Sequence, residues 1–152
     1  DNVEPYFNKN VAGDWTELRS RLMALLQDEA ELDEIVKLVG MDALSAPDRI
    51  KLEAARSVRE DYLQQNAFDG IDTYTSPKKQ HTMMQLVLDY FDEATAALKE
   101  GAKVNDLVAL PIREAIGRFK YVPEDQIDAK YEEIVKTLKT QCADAVARKE
   151  DF

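Results

Sequence analysis

Apolar residues recur every three or four positions along most of this chain, which is the spacing of one face of an α-helix. The first series follows Asp14 and Glu17, which together form a D-x-x-E capping pattern. The series predicts a long amphipathic helix that ends at Gly40. Its predicted buried side consists of Trp15, Leu18, Leu22, Leu25, Leu32, Val36 and Val39.

Two serine and proline signatures predict the starts of the next two helices. Ser45 can cap a helix with its hydroxyl group. Pro47 has no backbone N–H, but in the first turn of a helix that N–H would have no hydrogen-bond partner in any case. The acid that follows, Asp48, lies at the positive end of the helix dipole. Ser76 and Pro77 repeat the signature and begin a third helix, which ends at Gly101. The predicted buried faces are Ile50, Ala54, Val58 and Tyr62 in the second helix, and Met83, Met84, Val87, Tyr90, Phe91, Ala94 and Leu98 in the third.

The remainder is predicted to form short helices and one long one. Residues 104–110 and 111–121 can each form a few turns before Pro123 interrupts them. A last helix is predicted over about 124–148, with a buried side of Ile127, Tyr131, Ile134, Leu138, Cys142 and Ala145. No segment alternates with the period of two that is typical of strands. We therefore predict a single all-α domain over residues 1–152, a bundle of about five or six helices.

The charge balance disfavours two classes of partner. With 30 acids, 20 bases and a formal net charge of -10, the chain has no general attraction for nucleic acid or for an anionic membrane surface. It contains no apolar run near the roughly 20 residues that cross a bilayer. Cys142 is the only cysteine, which excludes an internal disulfide and fits a reducing compartment. We therefore expect a cytoplasmic protein without nucleic acid and without direct membrane contact.

The sequence lacks the motifs of a self-contained nucleotide enzyme or metalloenzyme. There is no G-x-x-x-x-G-K-[ST], G-x-G-x-x-G or H-E-x-x-H motif. His81 is expected to be an exposed polar residue rather than a catalytic base, and Cys142 a packing residue rather than a reactive thiol. The acidic run from Gln27 to Glu34 lacks the spacing of a calcium loop and is interpreted as a solvated helix face. We therefore predict no catalytic residue and no metal ligand in this chain.

The polar stretch from Arg59 to Ser76 carries two aromatic residues that no predicted strand could bury. Phe68 comes shortly after a run of glutamine and asparagine, and Tyr74 lies six residues later, with Gly70 between them to let the chain fold back. Two rings near amides could hold a purine base, since stacking on an aromatic ring contributes about 1–3 kcal/mol per base in nucleic-acid complexes. The alternative is that both rings plug the end of the bundle.

Four sequence runs, in this order along the chain, resemble one family. They are DWTELRSRLMALLQDEAELDEIVKLVG (14–40), DEIVKLVGMDALSAPDRIKLEAARSVREDYLQQNAFDGIDTY (33–74), KKQHTMMQLVLDYFDEATAAL (78–98) and LPIREAIGRFKY (110–121). The resemblance is to the carboxy-terminal region of the catalytic alpha chain, or A subunit, of prokaryotic V-type (archaeal-type) rotary ATP synthases. Within it, REDYLQQNAFD followed by DTY is specific to the catalytic chain and is missing from the non-catalytic partner subunit.

The resemblance implies a parent of several hundred residues, with an amino-terminal β-barrel, a P-loop nucleotide-binding domain and this helical domain last. The start at Asp1, without a methionine, also suggests a piece of a longer protein, although removal of a tag leaves a similar start. In such machines catalytic subunits alternate with non-catalytic B subunits around a central stalk, and ATP hydrolysis turns the stalk to pump protons or sodium ions. The implied cofactors are ATP or ADP with magnesium, held by the other domain, so this segment alone is expected to be inactive.

The same resemblance suggests roles for two groups of residues. Phe68 is the first candidate for a contact with adenine, and Tyr74 the second. The turn GMDALSAPDR corresponds to an acidic helix–turn–helix that bears on the rotor in the F-type beta chain, which places the rotor contact at Asp42, Ala43, Leu44, Ser45, Ala46 and Pro47. Because this turn has fewer acids, shape and stiffness rather than charge are expected to transmit motion. An ordinary helix–helix turn is the alternative.

The residues also allow a second class of function, a stand-alone helical adaptor that binds another protein through an apolar helix face and has no link to nucleotides. The gene distinguishes the two hypotheses. A rotary ATPase subunit requires a reading frame that extends several hundred residues upstream through a G-x-x-x-x-G-K-[ST] motif. A reading frame that begins near Asp1 favours the adaptor.

Overall fold

The computed structural model describes residues 4–59 and 76–148 of the chain, and the side chains of residues 16–59 and 76–148. Within these ranges it contains helices and turns but no β-strand, so the predicted all-α class is confirmed. The α-helices are α1 (Glu4–Val39), α2 (Ala46–Ser57), α3 (Pro77–Lys99), α4 (Val104–Val108), α5 (Ile112–Gly117) and α6 (Ile127–Ala147). Short 3₁₀-helices occupy Met41–Ala43, Phe119–Tyr121 and Glu124–Gln126.

The two serine caps form as the sequence predicts. The Ser45 Oγ accepts a hydrogen bond from the Asp48 N–H at 3.3 Å, and the Ser76 Oγ accepts one from the Lys79 N–H at 3.0 Å. In each helix a proline lies within the first two positions, where its missing N–H leaves no gap among the helical hydrogen bonds. Local sequence therefore determines where α2 and α3 begin.

The predicted start of the first helix is wrong. Helix α1 begins at Glu4, well before Asp14. Pro5 lies in the first turn, where proline is tolerated, and Gly13 lowers helix propensity without ending the helix. Because no residue before Asp14 stops the helix, this acid lies inside it despite its preference for a cap.

Helix α3 lies at the centre of the bundle and packs against α1, α2 and α6. The face predicted for it is buried or partly buried, and comprises Met83, Met84, Val87, Tyr90, Phe91, Ala94 and Leu98. Because neighbours cover α3 on several sides, positions outside that face are buried as well, namely Leu86, Leu88 and Ala97. For the same reason His81, which we expected to be exposed, is half-buried.

Helix α6 covers one side of α3. As predicted, its buried residues include Ile127, Ile134, Leu138, Cys142 and Ala145. Tyr131 is half-buried, and its hydroxyl donates a hydrogen bond to Asp89 Oδ2 on α3 at 2.6 Å. Burial, with a smaller contribution from Glu93, raises the pKa of the Cys142 thiol to about 11, so the thiol stays protonated at neutral pH. The expectation that Cys142 packs in the core is confirmed.

Helix α1 buries the middle of its predicted stripe but not the end. The buried part comprises Leu18, Leu22, Leu25 and Leu32. Val36 is half-buried, and Val39, which we predicted to be buried, is 67% exposed. The reason is that the last turn of α1 lies where the chain turns towards α2, and no described residue covers it. The side chains of Trp15 and Tyr62 lie outside the described residues.

Two leucines of opposite burial provide a test of this core. Leu138 on α6 is fully buried, whereas Leu38 on α1 is 80% exposed. We expect Leu138→Ala to lower the free energy of unfolding of the chain by about 2–5 kcal/mol, because it leaves a cavity beside α3. We expect the matched control Leu38→Ala to change it by less than about 0.5 kcal/mol. Chemical denaturation followed by circular dichroism measures both, and equal losses in the two variants would contradict this packing.

Candidate functional site

The predicted functional residues form two groups, and the structure describes one of them. Phe68 and Tyr74 lie outside the described residues. The residues that flank positions 60–75 are described. Arg59 follows the end of α2, and Ser76 caps the start of α3. The candidates for rotor contact, residues 42–47, are all described and lie between α1 and α2 or in the first turn of α2.

Helices α1 and α2 pack against each other as a hairpin, joined by a short turn, residues 40–47, that we term the elbow. Gly40 begins the elbow with a φ of 94°, a left-handed conformation that favours glycine. A 3₁₀-helix follows, closed by a hydrogen bond from the Leu44 N–H to the Met41 carbonyl at 3.1 Å. The Ser45 cap then begins α2 directly. The elbow is therefore a compact turn held by its own backbone bonds.

The elbow forms an exposed tip of the hairpin. Two of its six candidate contact residues are half-buried, and the other four are exposed, namely Asp42, Ala43, Ser45 and Pro47. The last turns of α1 add three exposed apolar side chains, since Ile35 is 41%, Leu38 80% and Val39 67% exposed. We term these three residues the apolar tip. Sequence analysis did not assign them to a surface, and grouped apolar side chains of this kind mark interaction surfaces more often than scattered ones do.

Among the described side chains, three ion pairs join acids of α1 to bases in or just beyond α2. They are Asp28–Lys51 at 3.6 Å, Asp33–Arg56 at 3.7 Å, and Glu29–Arg59. In the first two pairs every side chain is between 33% and 41% exposed, so each pair contributes little stability by itself. Their shared effect is to align the two helices of the hairpin, since all three cross the same interface.

Among the acids of α1 whose side chains are described, Glu29 is the one that the protein buries, leaving 4% of the residue exposed. Its Oε1 contacts the Arg59 Nη2 as an ion pair, without the alignment of a hydrogen bond. The interpretation of residues 27–34 as a solvated helix face is therefore wrong at Glu29. Its partner comes from the far end of the hairpin, and helix periodicity alone cannot reveal such a contact.

Arg113 on α5 joins the hairpin to the rest of the bundle. Its Nη1 donates hydrogen bonds to Glu53 Oε1 at 2.9 Å and to the Val108 carbonyl at 2.7 Å, and its Nη2 donates to Ser57 Oγ at 3.0 Å. Because Glu53 and Ser57 belong to α2, one guanidinium links α2 to α4 and α5. Sequence analysis did not identify Arg113, because its α2 partners lie 56 and 60 residues away along the chain.

Tyr90 of α3 lies beside the same guanidinium, with the Arg113 Cζ 5.0 Å from the ring centroid. The Tyr90 hydroxyl donates a hydrogen bond to the Leu107 carbonyl at 2.9 Å. Burial raises the pKa of Tyr90 to about 12, although the positive charge of Arg113 opposes this shift. A cavity of about 10 Å³ in this cluster has room for about one water molecule, far less than a nucleotide pocket. The cluster therefore acts as an anchor between helices.

A second polar cluster positions Ser76 and the start of α3. The Lys79 ammonium is buried, donates a hydrogen bond to the Lys120 carbonyl at 3.0 Å, and lies 3.8 Å from Glu124 Oε1. The Ser76 hydroxyl donates a hydrogen bond to Glu124 Oε2 at 2.9 Å. The first turn of α3 is thereby joined to the 3₁₀-helix that precedes α6.

The described residues contain neither a candidate metal site nor a helix that could cross a membrane. No group of three or more histidine, cysteine, aspartate or glutamate side chains among them is placed to hold a metal ion. Among the helices described, none is both long enough and apolar enough to cross a membrane. His81 on α3 therefore takes part in no metal cluster with other described side chains.

Most of this chain is similar in sequence to part of known ATP synthase subunits. A family model described as the C-terminal domain of V and A type ATP synthase matches residues 4–108. The V-type ATP synthase alpha chain of Acetivibrio thermocellus is 49% identical over 97% of this chain, and the A subunit of the A-type ATP synthase of Methanosphaera stadtmanae is 49% identical over 95%. The V-type ATP synthase alpha chain 1 of Clostridium tetani is 51% identical over 97%. This chain spans 25% of the length of each of these relatives.

These matches confirm the resemblance that the four sequence runs indicated. The family match includes the α1–α2 hairpin, the elbow and the whole of α3. The chain belongs to the family of C-terminal domains of V and A type ATP synthases.

Proposed function

We propose that this chain is the lever domain of the catalytic alpha chain of a rotary ATP synthase, where it couples ATP hydrolysis or synthesis to rotation of the central stalk. The observation that carries the proposal is the exposed elbow at the tip of a braced hairpin. Family membership supports this function over that of a stand-alone adaptor, since the relatives named above are alpha chains or A subunits of ATP synthases.

A lever has to transmit displacement without bending, and the hairpin has features that suit this task. Helix α1 is continuous for 36 residues, which corresponds to about 54 Å. Two described ion pairs hold α1 to α2, a third holds α1 to Arg59 just beyond α2, and Arg113 holds α2 to the core of the bundle. A movement imposed at the base of the hairpin would therefore reach the elbow as a movement of the whole hairpin.

The contact with the central stalk is proposed to involve residues 42–47 together with the apolar tip. Asp42 is the one acid among residues 42–47, so charge contributes little to this surface. Leu38 and Val39 offer apolar area that a partner could cover, and the Gly40 turn and Ser45 cap keep the surface in one shape. Shape and apolar contact would then transmit force, in agreement with the small number of acids.

The stretch between Arg59 and Ser76 is proposed to form the adenine side of the nucleotide site, with Phe68 and Tyr74 against the base. ATP or ADP and magnesium would be held mainly by a P-loop domain elsewhere in the parent protein. Support comes from the two ends of the stretch, since Arg59 pairs with Glu29 and Ser76 bonds to Glu124. Both ends are thus anchored to the bundle.

The proposed partners, transported ions and location follow from the rotary ATP synthase to which the parent protein would belong. The partners would be the central stalk and the non-catalytic B subunit, and the complex would pump protons or sodium ions while this domain stays on the cytoplasmic side of the membrane. The net charge of -10 gives no reason to add nucleic acid or an anionic membrane surface to the partners.

Charged substitutions in the apolar tip test the stalk contact. In the assembled complex we expect Leu38→Glu combined with Val39→Glu to lower the number of ions pumped per ATP severalfold, because a charged surface cannot replace an apolar contact. The free energy of unfolding of the chain should change by less than about 0.5 kcal/mol. Met23→Glu is the control, since Met23 is 64% exposed on the same helix and lies about 22 Å from Leu38 along its axis. Unchanged pumping per ATP in the double variant would contradict the contact.

A substitution of Phe68 tests the adenine contact. In the full complex Phe68→Ala should weaken nucleotide affinity by about 1–3 kcal/mol, the contribution of one stacked ring, while the fold is kept. Phe68→Tyr is the matched control, because it keeps the aromatic face. Affinities are measured by titration with a fluorescent adenine nucleotide. Equal affinities of wild type and Phe68→Ala would return Phe68 to the alternative role of plugging the bundle.

The isolated chain provides a further test. Because the P-loop and the groups that bind magnesium are proposed to lie in another domain, the purified 152-residue chain should not hydrolyse ATP. Phosphate release is measured with magnesium and ATP present, and a sample without protein sets the background. Turnover above that background, which copurifies with the chain through two chromatography steps, would refute the division of labour proposed here.

A further inference from the structure

Glu53 of α2 lies between two arginines, and each of its carboxylate oxygens contacts a different one. The Glu53 Oε1 accepts a hydrogen bond from the Arg113 Nη1 on α5 at 2.9 Å, and the Glu53 Oε2 lies 3.6 Å from the Arg49 Nε near the start of α2. The three side chains are between 16% and 26% exposed, so salt and water screen these charges only in part. One carboxylate therefore joins a base near the elbow to a base on α5.

Arg49 connects this network to the elbow. Its backbone N–H donates a hydrogen bond to the carbonyl of Ser45, an elbow residue, at 2.9 Å. The Arg49 Nε is buried and has no hydrogen-bond partner among the described residues, and the Glu53 carboxylate is the opposite charge that lies beside it. A buried charge that loses such a neighbour is costly, so Arg49 is held close to Glu53.

Arg113 holds Glu53 at the other end of the network. Besides the bond to the carboxylate, the Arg113 Nη2 donates hydrogen bonds to the Glu53 carbonyl at 3.3 Å and to the Ser57 Oγ at 3.0 Å. The N–H donors of a guanidinium have a fixed planar geometry. Because one guanidinium bonds to three oxygens of α2, both the position and the rotation of α2 are defined relative to α5.

The apolar contacts of α2 define its position less narrowly. Helix α2 contacts α1 and α3 and buries Ile50, Ala54 and Ala55. Burial of these side chains stabilises the fold, but it has no preferred direction. Replacing a buried ion network by apolar side chains of similar size often leaves stability unchanged or higher. The effect of the network is therefore expected in where α2 lies rather than in how stable the fold is.

We propose that Glu53 is a positioning residue for the elbow, because it ties Arg49 at the elbow end of α2 to Arg113 on α5. The inference rests on the proposed function and deepens it, since it names the residues through which movement of the bundle reaches the stalk contact. With the network intact, the elbow follows the bundle as one body. Without it, the fold persists but the elbow occupies a range of positions, so ATP turnover is coupled less closely to pumping.

The first measurement is the distance from the elbow to the bundle in the full-length catalytic chain. Nitroxide labels are placed on Ala43→Cys in the elbow and Lys139→Cys on α6, both at exposed positions, after every native cysteine, including Cys142, has been replaced by alanine. Pulsed electron paramagnetic resonance gives the distribution of distances between the labels. We expect a narrow distribution in the otherwise unchanged chain.

Two variants break the network in different ways. Glu53→Gln removes the shared charge and keeps the side-chain shape, whereas a triple variant replaces Arg49, Glu53 and Arg113 by methionine and leaves none of the three charges unpaired. We expect both to broaden the distance distribution about twofold or more, because the elbow is no longer held to α5. A distribution of unchanged width in the triple variant would overturn the proposal.

The second measurement is the number of ions pumped per ATP in the assembled complex without labels. We expect both variants to lower it about twofold or more, while ATP turnover by each assembled complex continues. Loss of stability or of assembly reduces pumping and turnover together, so their ratio reports positioning and not stability. If Glu53→Gln fails to assemble, the triple variant supplies the ratio. An unchanged ratio despite a broadened distribution would also overturn the proposal.

The matched control combines Asp33→Asn with Arg56→Gln and removes an ion pair between α1 and α2. Its side chains are 36% and 33% exposed, so water solvates the separated charges and the pair fixes no position. We expect this variant to have the distance distribution and the pumping ratio of the wild type. Changes as large as those of the triple variant would mean that any ion pair of the hairpin suffices, which contradicts a specific role of Glu53.

Failure of this inference can be told apart from failure of the proposed function. If the double variant of Leu38 and Val39 lowers pumping per ATP and the triple variant does not, the stalk contact stands and the positioning role is refuted. If the triple variant broadens the distribution and lowers pumping while the double variant has no effect, the positioning role stands and the contact through the apolar tip is refuted. If neither lowers pumping per ATP, both are refuted.

Discussion

A charge that leaves water inside a protein has to meet an opposite charge or several hydrogen bonds, and this constraint governs how the α1–α2 hairpin is attached. Arg113 meets it by donating four hydrogen bonds to oxygens of α2 and α4. Glu29 meets it through Arg59. Apolar contact has no preferred direction, whereas a guanidinium loses its oriented bonds when its partners move. The hairpin is therefore held at defined positions rather than by interchangeable contacts.

The features that could be predicted from the sequence are those in which the residues that determine a structure lie within one helical turn of the structure they form. Ser45 and Ser76 accept hydrogen bonds from N–H groups three residues later, so the signal and its consequence are adjacent. The stripes of α3 and α6 are equally local, because a spacing of three or four places side chains on one face whatever covers it. The all-α class, the starts of α2 and α3, and most of the core could be predicted for this reason.

The features that escaped prediction depend on partners far away along the chain. Arg113 is surrounded in the sequence by ordinary helix-forming residues, and its role exists only because α2 passes beside α5. Glu29 lies among acids that look alike in sequence, and only the arrival of Arg59 distinguishes it. Val39 fits the apolar spacing of α1, but spacing gives no information on where the covering helix ends. The turn between α1 and α2 could therefore be predicted from the sequence, whereas the contacts that hold the hairpin to the bundle could not.

Within α1, the residues that stabilise the fold are different from the exposed apolar residues of the apolar tip. The residues of α1 that stabilise the fold lie in its buried middle, such as Leu22 and Leu25. Leu38 and Val39 belong to the same helix yet touch little of the described core, so the fold does not require them to be apolar. Polar residues at both positions would leave the hairpin braced by the same ion pairs and by Arg113. Apolar character that folding does not need, at the end of a braced hairpin, is the property expected of a surface that binds another protein.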